Sequence, residues 1–316
     1  MAKVLMFTHN DLDGVGCAIA RNCFSKVKGV KDELTVVQCV AGKVEEKIEE
    51  VLGEHWDTIN LNMSTFDFDE IWITDLSVDE IYAERISVYN KHTIDKFRLI
   101  DHHKTALWLN MFHWAVVNES ITDSATLLLF NYLLDDNNYK LIEGINLEEL
   151  AALMQTISHY DTWFWKKINK EECKDLNILF RSYGFNRFLN RFSPENGFIL
   201  NDLDNIIINM EKESESKYVE SNIHNINIIN LKGYNVGLYY AERYINTLCD
   251  MAMDTFPNLD AIMVCSHGST FSLRSRKTDV DLSELAKQFG GGGHFSAAGF
   301  RINTDAVTKF YSDALN

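Results

Sequence analysis

The first hundred residues alternate between short apolar runs and longer amphipathic stretches. Apolar runs that predict strands lie at residues 3–8, 34–40, 70–74 and 97–100. Stretches with apolar residues at helical spacing lie between them, at residues 15–24, 43–52 and 78–89. Strands that alternate with helices predict an α/β fold, with a mostly parallel sheet and helices on both faces.

Polar clusters directly follow three of these predicted strands. They are the segment His9–Asp13, the single residue Asp75, and the segment Asp101–His103. In a parallel sheet the carboxyl ends of neighbouring strands meet at one edge, and ligands bind outside that edge. We therefore expect these polar side chains to lie close together.

The pattern changes after about residue 124, where helices become dominant. Helices are predicted at residues 125–134, 147–159 and 172–192, the last as a broken pair. The polar segment 200–230 contains no proline or glycine, which favours a long helix over a disordered linker. Strands return at residues 236–240, 261–265 and 270–273. The predicted organisation is an N-terminal domain over residues 1–195, a helical connector over 196–231, and a smaller α/β domain over 232–316.

Charge restricts the partners of this chain. Its 30 basic and 46 acidic residues give a net charge of −16, which opposes the binding of long polyanions. A nucleic-acid substrate would therefore be short and held locally. No apolar run reaches about 18 residues, so no membrane partner is expected. The six cysteines form no CxxC pair and are typical of reduced thiols, which predicts a cytoplasmic location.

The first polar cluster offers three metal-binding side chains at alternate positions. In an extended strand end, His9, Asp11 and Asp13 would project to one side and converge. One imidazole with two carboxylates suits Mn²⁺ or a similar divalent ion. The alternative is an exposed acidic loop that caps a helix, with Asp13 as the N-cap.

The later clusters are open to similar alternatives. Asp75 alone is typical of a turn or a helix cap. Asp101, His102 and His103 place a carboxylate and two imidazoles in one tight turn, which is either a ligand cluster or a solvated polar turn. Asp161 ends a predicted helix, where a carboxylate opposes the helix dipole and calls for a nearby cation.

Taken in order, the segments HNDLD, ITD, DHH and HYD resemble the motifs of the DHH phosphoesterase superfamily. Its members include RecJ-type exonucleases, nano-RNases, cyclic-dinucleotide phosphodiesterases and manganese pyrophosphatases. The resemblance covers most of residues 4–163. It implies a DHH catalytic domain that holds two Mn²⁺ ions, with Mg²⁺ or Co²⁺ as substitutes, and hydrolyses phosphoesters with an activated water.

The resemblance also assigns roles to individual residues. It implies six carboxylate or imidazole metal ligands: His9, Asp11, Asp13, Asp75, His102 and Asp161. His9 and Asp11 would hold one ion, Asp75 would bridge both, and the other three would hold the second ion. Asp101 would orient an imidazole. His103 would contact the scissile phosphate or assist proton transfer to the leaving oxygen.

The C-terminal domain contains four consecutive glycines followed by His294. This composition predicts an irregular loop, neither helix nor strand, whose amides could bind an anion. The segment GGGGHFSAAGF, with SLRS upstream, resembles the DHH-associated C-terminal domain. The implied substrate-binding residues are Arg274, Ser275, Gly291, Gly292, Gly293 and His294. Residues 271–301 contain five basic and three acidic side chains, a local charge of +2 that predicts a phosphate clamp.

Length and domain organisation resemble the nano-RNase and dinucleotide phosphodiesterase branch. The leading hypothesis is a Mn²⁺-dependent phosphodiesterase, an exonuclease that degrades short oligonucleotides to mononucleotides. The alternatives are a cyclic or linear dinucleotide phosphodiesterase, a 3′-phosphoadenosine 5′-phosphate phosphatase, and, from another class, a non-catalytic nucleotide-binding regulator. Trp163 and Trp165 could stack on a base, or could belong to the core or to a dimer contact. A homodimer is compatible with the sequence.

Overall fold

The protein divides into two compact units, residues 1–208 and 209–316. The structure, a computed structural model, describes residues 1–26, 30–53, 56, 68–93, 95–303 and 312–313. The division falls inside a helix, Asp202–Asn222, which lies within the segment expected to be a helical connector. Within the described ranges, no helix combines the length and the apolar character needed to cross a bilayer.

The first unit is built on a five-stranded parallel sheet. Its strands in chain order are β1 Lys3–His9, β3 Glu33–Cys39, β4 Glu70–Thr74, β5 Phe97–Asp101 and β6 Ala115–Val117. Their order across the sheet is β3-β1-β4-β5-β6. Two short strands, β2 Phe24–Ser25 and β7 Lys140–Leu141, pair separately and antiparallel.

Helices connect these strands and continue after the sheet. The first five are α1 Leu12–Asn22, α2 Val44–Leu52, α3 Glu80–Thr93, α4 Ala125–Asp135 and α5 Leu147–Asp161. They are followed by α6 Phe164–Ile168, α7 Glu172–Tyr183, α8 Phe185–Arg191 and α9 Asp202–Asn222. A 3₁₀ helix, Lys104–Met111, follows β5.

Both faces of the parallel sheet are covered, as predicted. Alternate side chains of a strand point to opposite faces. In β4, Trp72 joins a core with residues of α1, α4 and α5, whereas Ile71 and Ile73 join a second core with residues of α2 and α3. Every residue of β4 is buried, because helices cover it from both sides. The α/β fold class with helices on both faces is therefore confirmed.

The second unit contains a mixed six-stranded sheet in the order β12-β13-β11-β10-β9-β8. Its strands are β8 Asn227–Leu231, β9 Tyr234–Tyr240, β10 Ala261–Ser266, β11 Thr270–Arg274, β12 Gly292–His294 and β13 Ala297–Arg301. Its helices are α10 Ile245–Thr255 and α11 Leu282–Lys287. Strand β8 pairs with β9 and so belongs to this sheet, although it precedes residue 232.

The glycine-rich segment is a strand, which corrects the expectation of an irregular loop. Gly292–His294 pairs antiparallel with the first three residues of β13. Glycine is required here because the chain passes very close to its neighbours. A Cβ on Gly291 would lie 2.1 Å from the carbonyl oxygen of Gly299, and one on Gly293 would lie 2.5 Å from the Cα of Ala298. Small residues thus permit a tight hairpin that propensity alone does not reveal.

Candidate metal centre

The carboxyl ends of β1, β4 and β5 lie side by side in the first sheet. Thr8 pairs with Thr74, and Thr74 pairs with Ile100. The next residues along these strands are His9, Asp75 and Asp101. Each of the three strands therefore brings one ionisable side chain to the same edge of the sheet.

His9 and Asp11 face each other across the turn from β1 to α1. Nδ1 of His9 lies 2.6 Å from Oδ2 of Asp11. Asp11 also begins α1, because its Oδ1 accepts a hydrogen bond of 3.0 Å from the amide of Gly14. The helix cap is therefore Asp11, and the alternative that made Asp13 the cap of this helix is wrong. Gly14 is required by close approach, since a Cβ there would lie 1.9 Å from the carbonyl oxygen of His9.

The pKa values of this pair shift in opposite directions. The pKa of His9 is raised to about 10, first by its hydrogen bond with Asp11 and then by Asp75. Burial alone would raise the pKa of Asp11, but hydrogen bonds from His9 and Gly14 outweigh it, so the pKa is lowered. Protons and metal ions compete for such groups, and a divalent cation bound here would replace the proton between them.

Asp75 lies at the centre of the cluster in a strained backbone conformation. Its φ of 55° is in the left-handed region, which costs about 1–2 kcal/mol for a residue with a Cβ. Its Oδ1 lies 3.5 Å from Nε2 of His102, and its Oδ2 lies 3.6 Å from Nδ1 of His9. Oδ2 is buried and accepts no hydrogen bond from any described residue. An unpaired buried carboxylate oxygen is costly, and a bound cation would satisfy it.

Asp13 lies in the first turn of α1 but caps a different helix. Its oxygens accept hydrogen bonds of 3.0 Å from the amides of Ala125 and Thr126, and another from the hydroxyl of Ser124. These groups form the N-terminus of α4, whose positive end stabilises a carboxylate. Asp13 is therefore held rigidly, with Oδ2 3.8 Å from Nε2 of His102.

His102 connects Asp13 with the remaining ligand candidates. Its Nε2 lies 3.3 Å from Oδ2 of Asp161, the last residue of α5. Within the part of the chain that the structure describes, three groups have their donor atoms within 4.8 Å of one another: His9 with Asp11 and Asp75, Asp75 with His102 and His103, and Asp13 with His102 and Asp161. Asp75 and His102 each belong to two groups. Overlapping groups of carboxylates and imidazoles fit two adjacent hard or borderline divalent ions.

Among the described residues, the carboxylates of this cluster meet no cationic partner other than histidine. No lysine or arginine there forms an ion pair with Asp13, Asp75 or Asp161. Burial and then the charge of Asp75 raise the pKa of Asp13 well above its usual range. Burial also raises the pKa of Asp161 to about 6. Burial would lower the pKa of His102, but the hydrogen bond with Asp75 and the charges of Asp13 and Asp161 raise it to about 9.

Asp101 shapes the turn that carries the two adjacent histidines. Its fully buried Oδ1 accepts hydrogen bonds from the amides of His102 at 2.8 Å and His103 at 3.3 Å. The same oxygen lies 2.7 Å from Nδ1 of His103, and this contact raises the pKa of that imidazole. Half of the His103 side chain is exposed. The contact with Asp101 uses Nδ1, so Nε2 of His103 can bind another group.

In the second unit, two predicted substrate-binding residues share one face of the sheet. Arg274 on β11 and His294 on β12 both lie directly opposite Ala297 of β13. Residues in one such row point to the same face. The guanidinium of Arg274 donates to a backbone carbonyl and to Oδ1 of Asn246, and has no carboxylate partner among the described residues.

Ser275, which directly follows Arg274, has a different environment. It is buried, and its hydroxyl donates a hydrogen bond of 2.7 Å to the carbonyl of Asp260. The hydroxyl also accepts a hydrogen bond from the amide of Lys277. The structure therefore places Ser275 inside the protein, where its hydroxyl is already bonded.

The basic patch expected over residues 271–301 is largely neutralised by carboxylates. Three of its five basic residues form ion pairs: Arg276 with Asp250 and Asp254, Lys277 with Asp260, and Lys287 with Glu284. The remaining two, Arg274 and Arg301, lie on the same face of the sheet. Arg274 pairs with Ala297, and Arg301 is four residues after Ala297 on β13, so the two positions point the same way. Arg301 belongs to the predicted basic patch but not to the named substrate-binding residues. Strand alternation between positions 297 and 301 places it on the same face as Arg274.

Comparisons with known proteins agree with this architecture. No family profile matches the chain. The chain is 31% identical to oligoribonuclease NrnB of Bacillus subtilis (strain 168), over 98% of this chain and 75% of that protein. Its fold is similar to a DHH domain described as a member of a family of ribosomal proteins, with a TM-score of 0.57 and 13% identity over 99% of this chain and 86% of the other. It is also similar to the pGpG-specific phosphodiesterase PggH of Vibrio cholerae, with a TM-score of 0.54 and 12% identity over 99% and 97% of the two chains.

The sequence relationship covers both units, since it extends over almost the whole chain. The structural similarities, at low identity, show the same fold. The chain therefore belongs to the family of oligoribonuclease NrnB, and its fold is similar to that of the DHH domain whose motifs it resembles.

Proposed function

We propose that this protein is a Mn²⁺-dependent phosphodiesterase that hydrolyses short oligonucleotides to mononucleotides. The observation that carries the proposal is the overlap of the ligand groups at Asp75 and His102, which provides for two adjacent ions. The relationship to a protein named an oligoribonuclease supports this substrate class. The mixed imidazole and carboxylate donors favour Mn²⁺, with Mg²⁺ and Co²⁺ as substitutes.

The proposed roles follow two of the three ligand groups and the residue that links them to the third. His9 and Asp11 would hold one ion, Asp13, His102 and Asp161 would hold the second, and Asp75 would serve both. When bound, two such ions supply a water of lowered pKa and neutralise the charge that develops on the phosphoryl oxygens. The protein's own contribution is a rigid, partly buried set of ligands, because Asp13 is fixed by α4 and Asp11 is fixed by α1.

Asp101 and His103 complete the proposed catalytic group. Asp101 accepts the Nδ1 proton of His103 and so fixes the orientation of the ring. The outward Nε2 is then the atom that contacts the scissile phosphate or passes a proton to the leaving oxygen. Asp101 acts through His103 and is a positioning residue.

The second unit supplies the proposed substrate contacts. Arg274 and His294 share an open sheet face with the small residues Ala297 and Gly299. A guanidinium and an imidazole on such a face suit a phosphate. With a net charge of −16, the protein offers few contacts to a long polyanion. A Cβ on Gly292 would meet nothing within 4 Å, so a substrate can approach the backbone there, whereas Gly291 and Gly293 lie against neighbouring protein atoms.

The test is a substrate series from two to more than twenty nucleotides, in RNA and DNA, at two ionic strengths with Mn²⁺ held constant. We expect kcat/KM to be highest for about two to five nucleotides, with a shallow salt dependence because few counterions are released. A steady rise to twenty nucleotides would replace the proposal with a processive exonuclease. Cyclic and linear dinucleotides and 3′-phosphoadenosine 5′-phosphate belong in the same series. Binding without product release would identify a non-catalytic regulator.

A matched pair of variants tests the clamp. Arg274→Ala removes a guanidinium without a carboxylate partner among the described residues, and Arg276→Ala removes one that Asp250 and Asp254 already neutralise. We expect Arg274→Ala to raise KM roughly 10- to 150-fold, the loss of one charge-assisted contact, with manganese content unchanged. His294→Ala should act in the same direction. Equal KM values for the Arg274 and Arg276 variants would remove Arg274 from the clamp.

Two further predictions remain open to experiment. All six cysteines are buried and free, which is compatible with the predicted cytoplasmic location. A homodimer is a prediction that the mass in solution would test directly.

A further inference from the structure

An exposed tryptophan lies next to the ligand cluster. Trp163 is 58% exposed, whereas Trp165 is buried with 6% exposure. Trp163 follows Asp161 by two residues, so their Cα atoms are at most about 7 Å apart. The two indoles, which the sequence does not distinguish, therefore have different environments, and only Trp163 presents its ring to solvent beside a ligand candidate.

The backbone at Trp163 is unfavourable for a large side chain. Its φ is 59° and its ψ is 10°, in the left-handed region that favours glycine. Its amide donates to the carbonyl of Tyr160 and closes the turn after α5. Neither the backbone conformation nor burial accounts for a tryptophan at this position. Strain of this kind beside a cluster of ionisable groups indicates a functional role for the side chain.

A cation lies against the same ring. Nζ of Lys166 is 4.3 Å from the centre of the Trp163 ring and 5.6 Å from that of Trp165. The two indoles are 6.5 Å apart with an angle of 29° between their planes. Among the described residues, the contacts of the Lys166 ammonium group are those with the two indole rings. A ring that is more than half exposed, with an ammonium group over it, is a surface for a base that carries a phosphate.

We propose that Trp163 stacks on the base of a nucleotide bound at the metal centre, and that Lys166 contacts a phosphate of the same nucleotide. The inference rests on the proposed function, since it needs a nucleotide at this site. Stacking on an indole is tolerant of base identity because every base has a π face. Trp163 would thus position short substrates of varied sequence.

The test compares the binding of two small phosphate ligands, one with a base and one without. Adenosine 5′-monophosphate carries a base, and ribose 5-phosphate is its counterpart without one. Both are titrated by calorimetry, with Mn²⁺ present, into the parent protein and the variants Trp163→Gly, Trp163→Phe and Trp165→Phe. We expect Trp163→Gly to weaken binding of adenosine 5′-monophosphate roughly 5- to 150-fold and to leave ribose 5-phosphate unchanged. Trp163→Phe should lose less, and Trp165→Phe should bind like the parent.

Glycine suits the left-handed conformation, so Trp163→Gly is expected to unfold at no lower temperature than the parent. Equal affinity of the parent and Trp163→Gly for adenosine 5′-monophosphate would overturn the inference. So would a parent protein that binds both probes equally. Hydrolysis of a dinucleotide by the parent is measured separately, and its absence would overturn the proposed function, because binding of the probes does not depend on turnover.

Discussion

The two ends of β4 each hold a buried carboxylate, but in opposite electrostatic surroundings. Glu70 begins the strand, and Asp75 directly follows it. Three cationic groups lie 2.7–3.2 Å from the oxygens of Glu70: Arg21, Lys26 and Arg98. Tyr139 and Trp72 donate further hydrogen bonds to it. Asp75 instead meets only imidazoles and other carboxylates among the described residues.

This difference indicates that the cluster around Glu70 stabilises the fold, whereas the cluster around Asp75 is suited to binding. Burial would raise the pKa of Glu70, but the charges of Arg21 and Lys26 outweigh it and lower the pKa from 4.5 to about 2. In the cluster around Asp75, burial raises the pKa of Asp161, the last residue of α5, to about 6. The fold supplies lysine and arginine at the Glu70 end, whereas the carboxylates at the Asp75 end meet imidazoles, which can bind a metal ion once they have lost a proton. Carboxylates that are grouped with imidazoles, and without lysine or arginine, indicate a metal site more strongly than their number does.

The largest effect is expected at Asp75. Asp75→Asn removes the carboxylate shared by both proposed ions, so we expect activity to fall about a thousandfold or more and bound manganese to fall below that of Asp11→Ala. Asp11→Ala leaves the second ligand group intact. Metal content is measured by elemental analysis beside the rate. Parental manganese content in Asp75→Asn would remove Asp75 from the site.

Glu70→Gln should change stability and leave the metal centre intact. It leaves Arg21 and Arg98 partly unpaired in a buried place, and we expect the free energy of unfolding to fall by about 3–5 kcal/mol. Urea unfolding measures the loss. Glu46→Gln, which breaks an exposed pair with Lys43, is the matched control and should resemble the parent. Loss of manganese in Glu70→Gln would contradict the separation of the two clusters.

The stabilisation by Glu70 should also depend on pH. A carboxyl whose pKa is lowered on folding stabilises the protein above its unfolded pKa of 4.5, and this contribution is lost as the pH falls towards about 2. We expect the difference in unfolding free energy between the parent and Glu70→Gln to shrink by about 2 kcal/mol from pH 7 to pH 3. A constant difference over this range would show that Glu70 stabilises the fold by packing alone.

The smallest effect concerns metal linkage. At a manganese concentration of about 10 times Kd, binding adds about 1.4 kcal/mol to the unfolding free energy, which raises the melting temperature by a few degrees. Glu70→Gln should keep this increase and Asp75→Asn should lose it. Scanning calorimetry with and without Mn²⁺ measures both. An equal rise in melting temperature in the parent, Glu70→Gln and Asp75→Asn would show that manganese binds away from Asp75.

The sequence alone determined the order of strands and helices and the residues that follow each strand. The period of apolar residues differs between strands and helices, and parallel strands end at one edge, so His9, Asp75 and Asp101 could be assigned to a common place. Asp13 and Asp161 were already candidates from their own segments, and the resemblance to the DHH motifs joined all of these residues into one ligand set. The periodicity of apolar residues and the resemblance of motifs can both be read from short stretches of chain.

The tertiary structure decided which groups each of these side chains contacts. Asp13 caps α4 through Ser124, 111 residues away, and Glu70 meets Tyr139, 69 residues away. The ion pairs that neutralise Arg276 and the exposure of Trp163 likewise come from the folded chain. Contacts between residues distant in sequence depend on how whole elements pack, and no local pattern of apolar and polar positions records them. The cluster of arginines and lysine at one end of β4 was therefore visible only in the fold. So was the lack of lysine or arginine partners among the described residues at the other end.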